Sequence, residues 1–205
     1  MKTGSRNKTF HQERGMELLE LALVLPLLLV LTAGAMDFGN AWNVRQILAN
    51  AAREGARLGS TQPMLDLNTT DPQTIQQICQ DVADYLARAN VSTTFMDGTS
   101  TDPSAGCATP TAIPNKSTML ANPVPLGWTY FTTQSNQQYG LEIQRTVLVP
   151  SSSGNASGSV SSTVVTLTYP YTWTFGFNRL IAWVSGSGYN DVLSIQVNST
   201  MANTD

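Results

Sequence analysis

The chain has 205 residues, which allows one ordinary domain plus an extension, and only 12% of them are charged. Its formal net charge is −3 and its Lys and Arg residues form no cluster of the kind that binds phosphates, so we expect no nucleic-acid partner. Two cysteines are far too few for a disulfide-framework protein.

A basic N-terminus precedes a long apolar run. From Leu18 to Met36 nearly every residue is apolar, close to the roughly 20 residues that a transmembrane helix needs. Basic residues before a span favour a cytoplasmic N-terminus, so we expect the chain beyond Asp37 to face outward. The basic residues before the run are Lys2, Arg6, Lys8 and Arg14.

Glu20 is the one carboxylate inside this apolar run. A charge there costs roughly 2.5–3.5 kcal/mol on insertion scales, so Glu20 is expected either to have a partner or to stay hydrated at headgroup depth. Ala33-Gly34-Ala35 also fits a secretory signal cleaved after Ala35, which would release a soluble protein starting at Met36. A disposable signal gains nothing from Glu20, which favours an anchor.

Gly15 followed by Glu20 five positions later, and then by a long apolar helix, resembles the cleavage region of type IV prepilins. The stretches ELALVLPLLLVL, MDFGNAW and ILANAAREGARLG are similar to those of TadE-like minor pilins, or pseudopilins, of the tight-adherence type IVb pilus system. Glu17 departs from the small or apolar residues usual after the glycine, which bears on cleavage efficiency.

The resemblance implies cleavage after Gly15 by a prepilin peptidase, with Met16 as the new N-terminus. The freed amine would lie about one helical turn from Glu20, so the amine of one subunit can neutralise Glu20 of its neighbour. The implied function is surface attachment or secretion by a protein held in the bacterial inner membrane as a single-pass anchor, or carried into an extracellular pilus. The implied partners are the peptidase, other pilin subunits, inner-membrane pilus assembly proteins and the lipid bilayer.

The helix is expected to continue beyond the membrane. Apolar and small residues recur at three- and four-residue steps from Asp37 to Gly59, and 44 residues from Met16 give roughly 66 Å. Small residues let another helix or sheet approach closely. Arg53 and Arg57 read as a solvated face. We assign subunit packing to Pro26, which bends the helix or is merely tolerated, and to Phe38, Ala52 and Gly55.

An outer domain is predicted after a polar break. A second helix begins with Asp71 as N-cap and Pro72 as its first residue, and ends near Asn90. A possible strand covers 91–96, and a Pro-rich loop from Gly98 to Gly127 is either a binding surface or a mobile excursion. Within these elements, Cys79 and Cys107 form one bridge if the domain is exported, or two buried thiols if it is cytosolic.

Four β-like runs follow, at 128–133, 141–149, 160–169 and 191–201, the middle two as a long hairpin. The aromatic segment 169–184 either covers the core or rests at the membrane interface. The predicted fold class is therefore α+β, a long N-terminal helix whose first half spans the membrane, packed against a C-terminal antiparallel β-sheet domain.

No catalytic apparatus is evident, since the only histidine, His11, lies in the predicted leader. We therefore expect no enzyme, no cofactor and no metal site. The expected organisation is a basic leader at 1–15, a transmembrane and projecting helix at 16–60, and an extracytoplasmic pilin-like domain at 61–205. The alternative is a soluble extracytoplasmic binding module released after Ala35, with the Pro-rich loop as its recognition surface.

Overall fold

The computed structural model describes residues 9–67, 69, 72–97, 107, 110–113, 127–134, 137–151, 158–174, 186 and 192–204. The helices are α1 (Thr9–Thr61), α2 (Gln73–Arg88) and α3 (Thr94–Asp97). The strands are β1 (Thr111–Ile113), β2 (Gly127–Gln134), β3 (Gln137–Ser151), β4 (Gly158–Thr172) and β5 (Val192–Ala202). A long N-terminal apolar helix and a five-stranded antiparallel sheet confirm the predicted α+β class.

The chain divides into two compact units, and the division falls inside α1. One unit contains residues up to Ala41 together with the segment that begins at Trp173. The other contains Trp42–Thr172 and Val192–Asp205, and it holds the whole sheet.

The sheet is a meander in which each strand pairs with the next along the chain, in the order β1-β2-β3-β4-β5. The predicted hairpin is confirmed as β3 and β4, which are longer than expected because both strands continue past their apolar stretches to Ser151 and from Gly158. One cross-strand row joins all four long strands, and each of its side chains is buried: Tyr130, Leu141, Leu167 and Val197. Such same-face contacts are the unit of sheet stabilisation.

The core of the sheet-containing unit lies between the sheet and two helices. Six α2 residues are buried, namely Ile75, Ile78, Cys79, Val82, Ala83 and Leu86, and their three- and four-residue spacing defines one helix face. Fully burying a large aliphatic side chain contributes about 1.5–3 kcal/mol, so this face accounts for much of the attachment of α2.

The α2 ends are set by local backbone geometry. Asn90 has a left-handed φ of 56°, and the N–H groups of Asn90 and Val91 donate to the carbonyls of Ala87 and Leu86 at 3.0 and 2.9 Å. This is the 6→1 and 5→2 pattern that closes a helix, and it confirms Asn90 as the terminator. At the other end Pro72 is the N-cap and not the first helical residue as predicted, while Asp71 lies outside the described residues.

Two predictions for the connecting region differ from the structure. The strand expected at 91–96 is wrong, because Thr94–Asp97 forms the short helix α3. Its start is favoured by Ser92, whose Oγ accepts from the Thr94 N–H at 3.4 Å as helix-capping hydroxyls do. The Pro-rich loop contains the short strand β1, and most of the rest of that loop lies outside the described residues, as does most of the aromatic segment 169–184.

Candidate functional site

The first half of α1 presents an apolar surface. Among the described residues, one helix, Met16–Thr61, is long and apolar enough to cross a membrane. Its leucines and methionines from Met16 to Met36 are exposed, including Leu23 at 69% and Leu31 at 63%. Soluble monomers rarely leave so continuous an apolar surface uncovered, so this stretch suits contact with lipid or with other helices.

The three residues of the predicted processing site follow one another on α1. Gly15 lies within the helix, Met16 is 74% exposed, and the Glu20 side chain is exposed four residues further on. Residues four apart lie on the same face of a helix, and their separation along the axis is about 6 Å. Among the described residues, no ion pair is found for Glu20 within the subunit.

Pro26 lies inside α1, and the helix continues through it. Proline has no N–H, so the carbonyl of Ala22 loses its usual partner four residues on. In a membrane such a group is satisfied by a neighbouring helix or by local rearrangement. Subunit packing at Pro26 stays a prediction.

Just past the apolar run, α1 contacts the start of the segment that begins at Trp173. The Asp37 side chain is fully buried, and its Oδ1 accepts from the Thr174 backbone N–H at 3.0 Å. The Phe38 and Trp173 rings meet edge to face, with centroids 5.5 Å apart and planes at 78°. Phe38 is still 57% exposed, and its role in subunit packing stays a prediction.

The small residues of the second half of α1 pack inside the subunit. Ala52 is fully buried, and a Cβ added at Gly55 would lie 2.6 Å from Val82 Cγ2 on α2 and 3.6 Å from Val165 on β4. Glycine and alanine at these positions allow α2 and β4 of the same chain to approach α1 closely. The assignment of Ala52 and Gly55 to contacts between subunits stays a prediction.

Arg53 and Arg57 point away from this packed face. Both are exposed, and they bond within the helix, Arg53 to Asn50 at 2.9 Å and Arg57 to Glu54. The hydrogen bond from Arg57 lowers the pKa of the Glu54 carboxyl. Exposed pairs of this kind contribute little to stability, so this side of α1 is a solvated face.

Arg145 of β3 closes the C-terminal end of α1. Its guanidinium is fully buried and donates to the backbone carbonyls of Gly59, Gln62 and Pro63, the last two at 2.6 and 3.1 Å. The carbonyl of Gly59 is among the last four of α1, which have no partners inside the helix and carry the negative end of its dipole, and Gln62 and Pro63 directly follow the helix. The buried guanidinium of Arg145 supplies hydrogen-bond donors to these carbonyls and a positive charge to the negative end of the dipole. Arg145 therefore attaches the end of α1 to the sheet.

A β-bulge puts Arg145 in this position. The β3–β4 register shifts between Gln144 and Val147, so that Arg145 and its neighbour stand opposite the single residue Thr163. Bulges re-aim a side chain and leave a backbone group without its ladder partner. Here the Asn203 side chain donates to the carbonyl of Arg145 at 2.9 Å. The strand irregularity is thus compensated by the residue that follows β5.

Asp66 links the same cluster to the start of α2. Its two carboxylate oxygens accept from the backbone N–H and the hydroxyl of Thr74, each at 2.8 Å, and the Thr74 hydroxyl also accepts from Arg145 at 3.4 Å. Burial lowers the pKa of the Arg145 guanidinium, and the charge of Asp66 opposes this shift. Arginine stays protonated in proteins, so the charge at the helix end is retained.

Sequence reasoning missed the role of Arg145, although a pattern in β3 points to it. Leu141, Ile143 and Arg145 alternate along the strand, and all three are buried. Side chains two apart in a strand share a face, so a charged residue at an inward position predicts a buried partner. Its partners are carbonyls at and just past the end of a helix more than 80 residues earlier, and they leave no mark in the sequence.

Cys79 and Cys107 form a disulfide with a Cα–Cα distance of 5.7 Å. Both residues are fully buried, and the bond ties a point in the Pro-rich region to the core face of α2. Disulfides persist in oxidising compartments, so this bond fits a domain outside the cytosol.

Comparisons with known proteins agree with the geometry of α1. The family described as TadE-like protein matches residues 15–57, which run from the predicted cleavage glycine almost to the end of the helix. No curated protein and no solved structure matches the chain. The family match suggests a component of a tight-adherence pilus. The resemblance noted in the sequence is confirmed, and residues 15–57 of the chain are TadE-like.

Proposed function

We propose that this protein is a minor pilin, or pseudopilin, of a tight-adherence (type IVb) pilus. A prepilin peptidase removes residues 1–15, residues 16–60 form the transmembrane and projecting helix, and residues 61–205 form an extracytoplasmic pilin-like domain. The subunit is held in the bacterial inner membrane with its N-terminus in the cytoplasm. It joins other pilin subunits and the inner-membrane assembly proteins, and serves surface attachment or secretion.

The observation that carries the proposal is the exposed apolar half of α1 with an exposed carboxylate at Glu20. Cleavage after Gly15 creates a positive amine on Met16, on the same helix face as Glu20. When subunits pass from lipid into a bundle, the amine of one neutralises the carboxylate of the next, because an unpaired charge in an apolar environment is costly. Glu20 thus sets the register between neighbouring helices.

Release as a soluble module by cleavage after Ala35 is the alternative. Cleavage there would leave the buried Asp37 and its contact with Thr174 almost at a free helix end. It would also remove every exposed leucine of the apolar run, which a released module does not need. These points favour the anchored form.

A pair of matched substitutions tests the role of Glu20. Glu20→Gln removes the charge and keeps the shape, while Glu17→Gln does the same three residues earlier, off the proposed pairing position. Both chains are expressed in cells with the complete pilus system, and mass spectrometry first establishes that each is processed. The readout is the fraction of the chain recovered with sheared surface filaments.

Losing one member of a pair in an apolar environment costs about 3–5 kcal/mol, so we expect Glu20→Gln to lower recovery at least tenfold. Glu17→Gln is expected to assemble normally. Equal recovery of the two processed variants would show that Glu20 has no special place in assembly.

A further inference from the structure

Among the described residues, nothing covers the edge strand β5 or protects it from pairing with another strand. It forms one edge of the sheet and, among the described residues, pairs only with β4. Its 11 residues, VLSIQVNSTMA, contain no charged residue and no proline. Proteins usually shield an edge of this length with lysine, proline, a bulge or a covering element. The N–H and C=O groups on the outer side of β5, which pair with no described strand, therefore form a template for one more strand.

The side chains of β5 are arranged so that the strand complements itself. Ser194, Gln196, Asn198 and Thr200 are exposed, and they read hydroxyl, amide, amide, hydroxyl in either direction. Two copies paired antiparallel about Val197 would place Ser194 opposite Thr200 and Gln196 opposite Asn198. Directly opposed side chains that can hydrogen-bond are favourable cross-strand pairs.

The same register covers the exposed apolar residues of this strand. Leu193 and Met201 lie near its two ends on the core-facing side, and they are 38% and 37% exposed. Because each lies four residues from Val197, the pairing sets Leu193 of one copy opposite Met201 of the other. Ile195 and Val197, which are already buried, would continue the core across the junction.

We propose that β5 pairs antiparallel with β5 of a second copy of this chain, centred on Val197, to form a continuous sheet across two subunits. The contact uses the same patch on both copies, so it closes on itself and joins two chains only. It involves no residue of the apolar half of α1. It is therefore independent of processing and of helix packing, and its failure would leave the proposed function standing.

Cysteine cross-linking of the full-length chain in detergent tests this register. In the proposed pairing Ser194 lies beside Thr200 of the other copy, so Ser194→Cys/Thr200→Cys should give a disulfide-linked dimer on mild oxidation. The single variants Ser194→Cys and Thr200→Cys are the controls. In the proposed pairing each of these positions lies about 20 Å from the same position in the other copy, too far for a disulfide. The native cysteines are bonded to each other and buried, so they do not compete.

We expect the double variant to cross-link and both single variants to remain monomeric on a non-reducing gel. Efficient cross-linking of a single variant would indicate parallel pairing or association through α1, and absence of cross-linking in the double variant would exclude the contact. Either result overturns the proposal.

Charge substitution at the same two positions provides a second test that needs no oxidation. Ser194→Lys/Thr200→Lys sets like charges opposite each other twice, and we expect the dissociation constant of the dimer to rise about tenfold. Ser194→Lys/Thr200→Glu sets opposite charges together and should restore the dimer. If the two double variants have the same dimer dissociation constant, the proposed register is wrong.

Discussion

Close packing between α1 and α2 at Gly55 can be tested by adding a single methyl group. In Gly55→Ala the new Cβ would lie 2.6 Å from Val82 Cγ2, a distance that real side chains do not tolerate. Overpacking of this kind costs about 1–3 kcal/mol, whereas replacing glycine by alanine in a helix gains about 1 kcal/mol. We expect a net loss of about 1 kcal/mol in the free energy of unfolding.

Gly39→Ala is the matched control, because it makes the same change in the same helix where a Cβ would meet nothing within 4 Å. It keeps the helix-propensity gain and has no steric cost. Thermal unfolding of both full-length variants in one detergent, followed by circular dichroism, gives the difference, which we expect to be about 1–3 kcal/mol. A difference of this size corresponds to several degrees in Tm.

Val82→Ala identifies the clash itself. Alone it removes buried apolar surface and destabilises the protein, but combined with Gly55→Ala it also removes the atom that the new Cβ meets. The double variant should therefore be more stable than the sum of the two single effects, by about 1 kcal/mol. If Gly55→Ala is as stable as Gly39→Ala, or if the two effects simply add, the close approach of the helices is not as described.

Three further predictions concern the sheet-containing unit. Arg145→Met removes the cation that holds the end of α1 and should lower the free energy of unfolding by about 3 kcal/mol in denaturant titrations, with Arg145→Lys in between. The bond between Cys79 and Cys107 spans 28 positions, so replacing both by serine should cost about 3–4 kcal/mol on the chain-entropy estimate, and reductant should then have no further effect. Burial, and then Glu54, raises the pKa of the Asp81 carboxyl. The folded state therefore binds this proton more tightly and loses stability as pH rises through the acidic titration range. Asp81→Asn should remove that fall and leave the protein no less stable at neutral pH, as unfolding measured from pH 3 to 7 would show.

The elements predicted well are those in which one periodic pattern decides the structure. The β3–β4 hairpin could be located because a run of turn-forming residues separates two β-like runs, and the last strand could be located from its imperfect alternation. The start of α2 was misplaced by one residue, because Asp66 caps it from outside the expected N-cap position. The run at 91–96 is rich in β-branched residues, yet a local hydroxyl contact turns its end into a helical turn.

The candidate site also contains local features that the sequence predicts and distant contacts that it does not. The spacing of Gly15 and Glu20 and the apolar run after them could be recognised directly, because both are local. The packing of Ala52 and Gly55 inside the subunit could not be recognised from the sequence. A stripe of small residues predicts that another element approaches closely, but it does not indicate whether that element belongs to the same chain. Arg145 was missed for a similar reason, since its partners are backbone carbonyls distant in sequence.

The mature N-terminus is the most direct test of processing after Gly15. The chain would be produced in the membrane of cells that contain a prepilin peptidase, purified from the membrane fraction, and its first residues determined by mass spectrometry. We expect Met16 as the first residue, and we expect a bulky replacement of Gly15 to leave the full-length chain. A mature chain beginning at Met36 would contradict the proposed anchor, and one that keeps Met1 in the presence of the peptidase would contradict processing and the pairing of the new amine with Glu20.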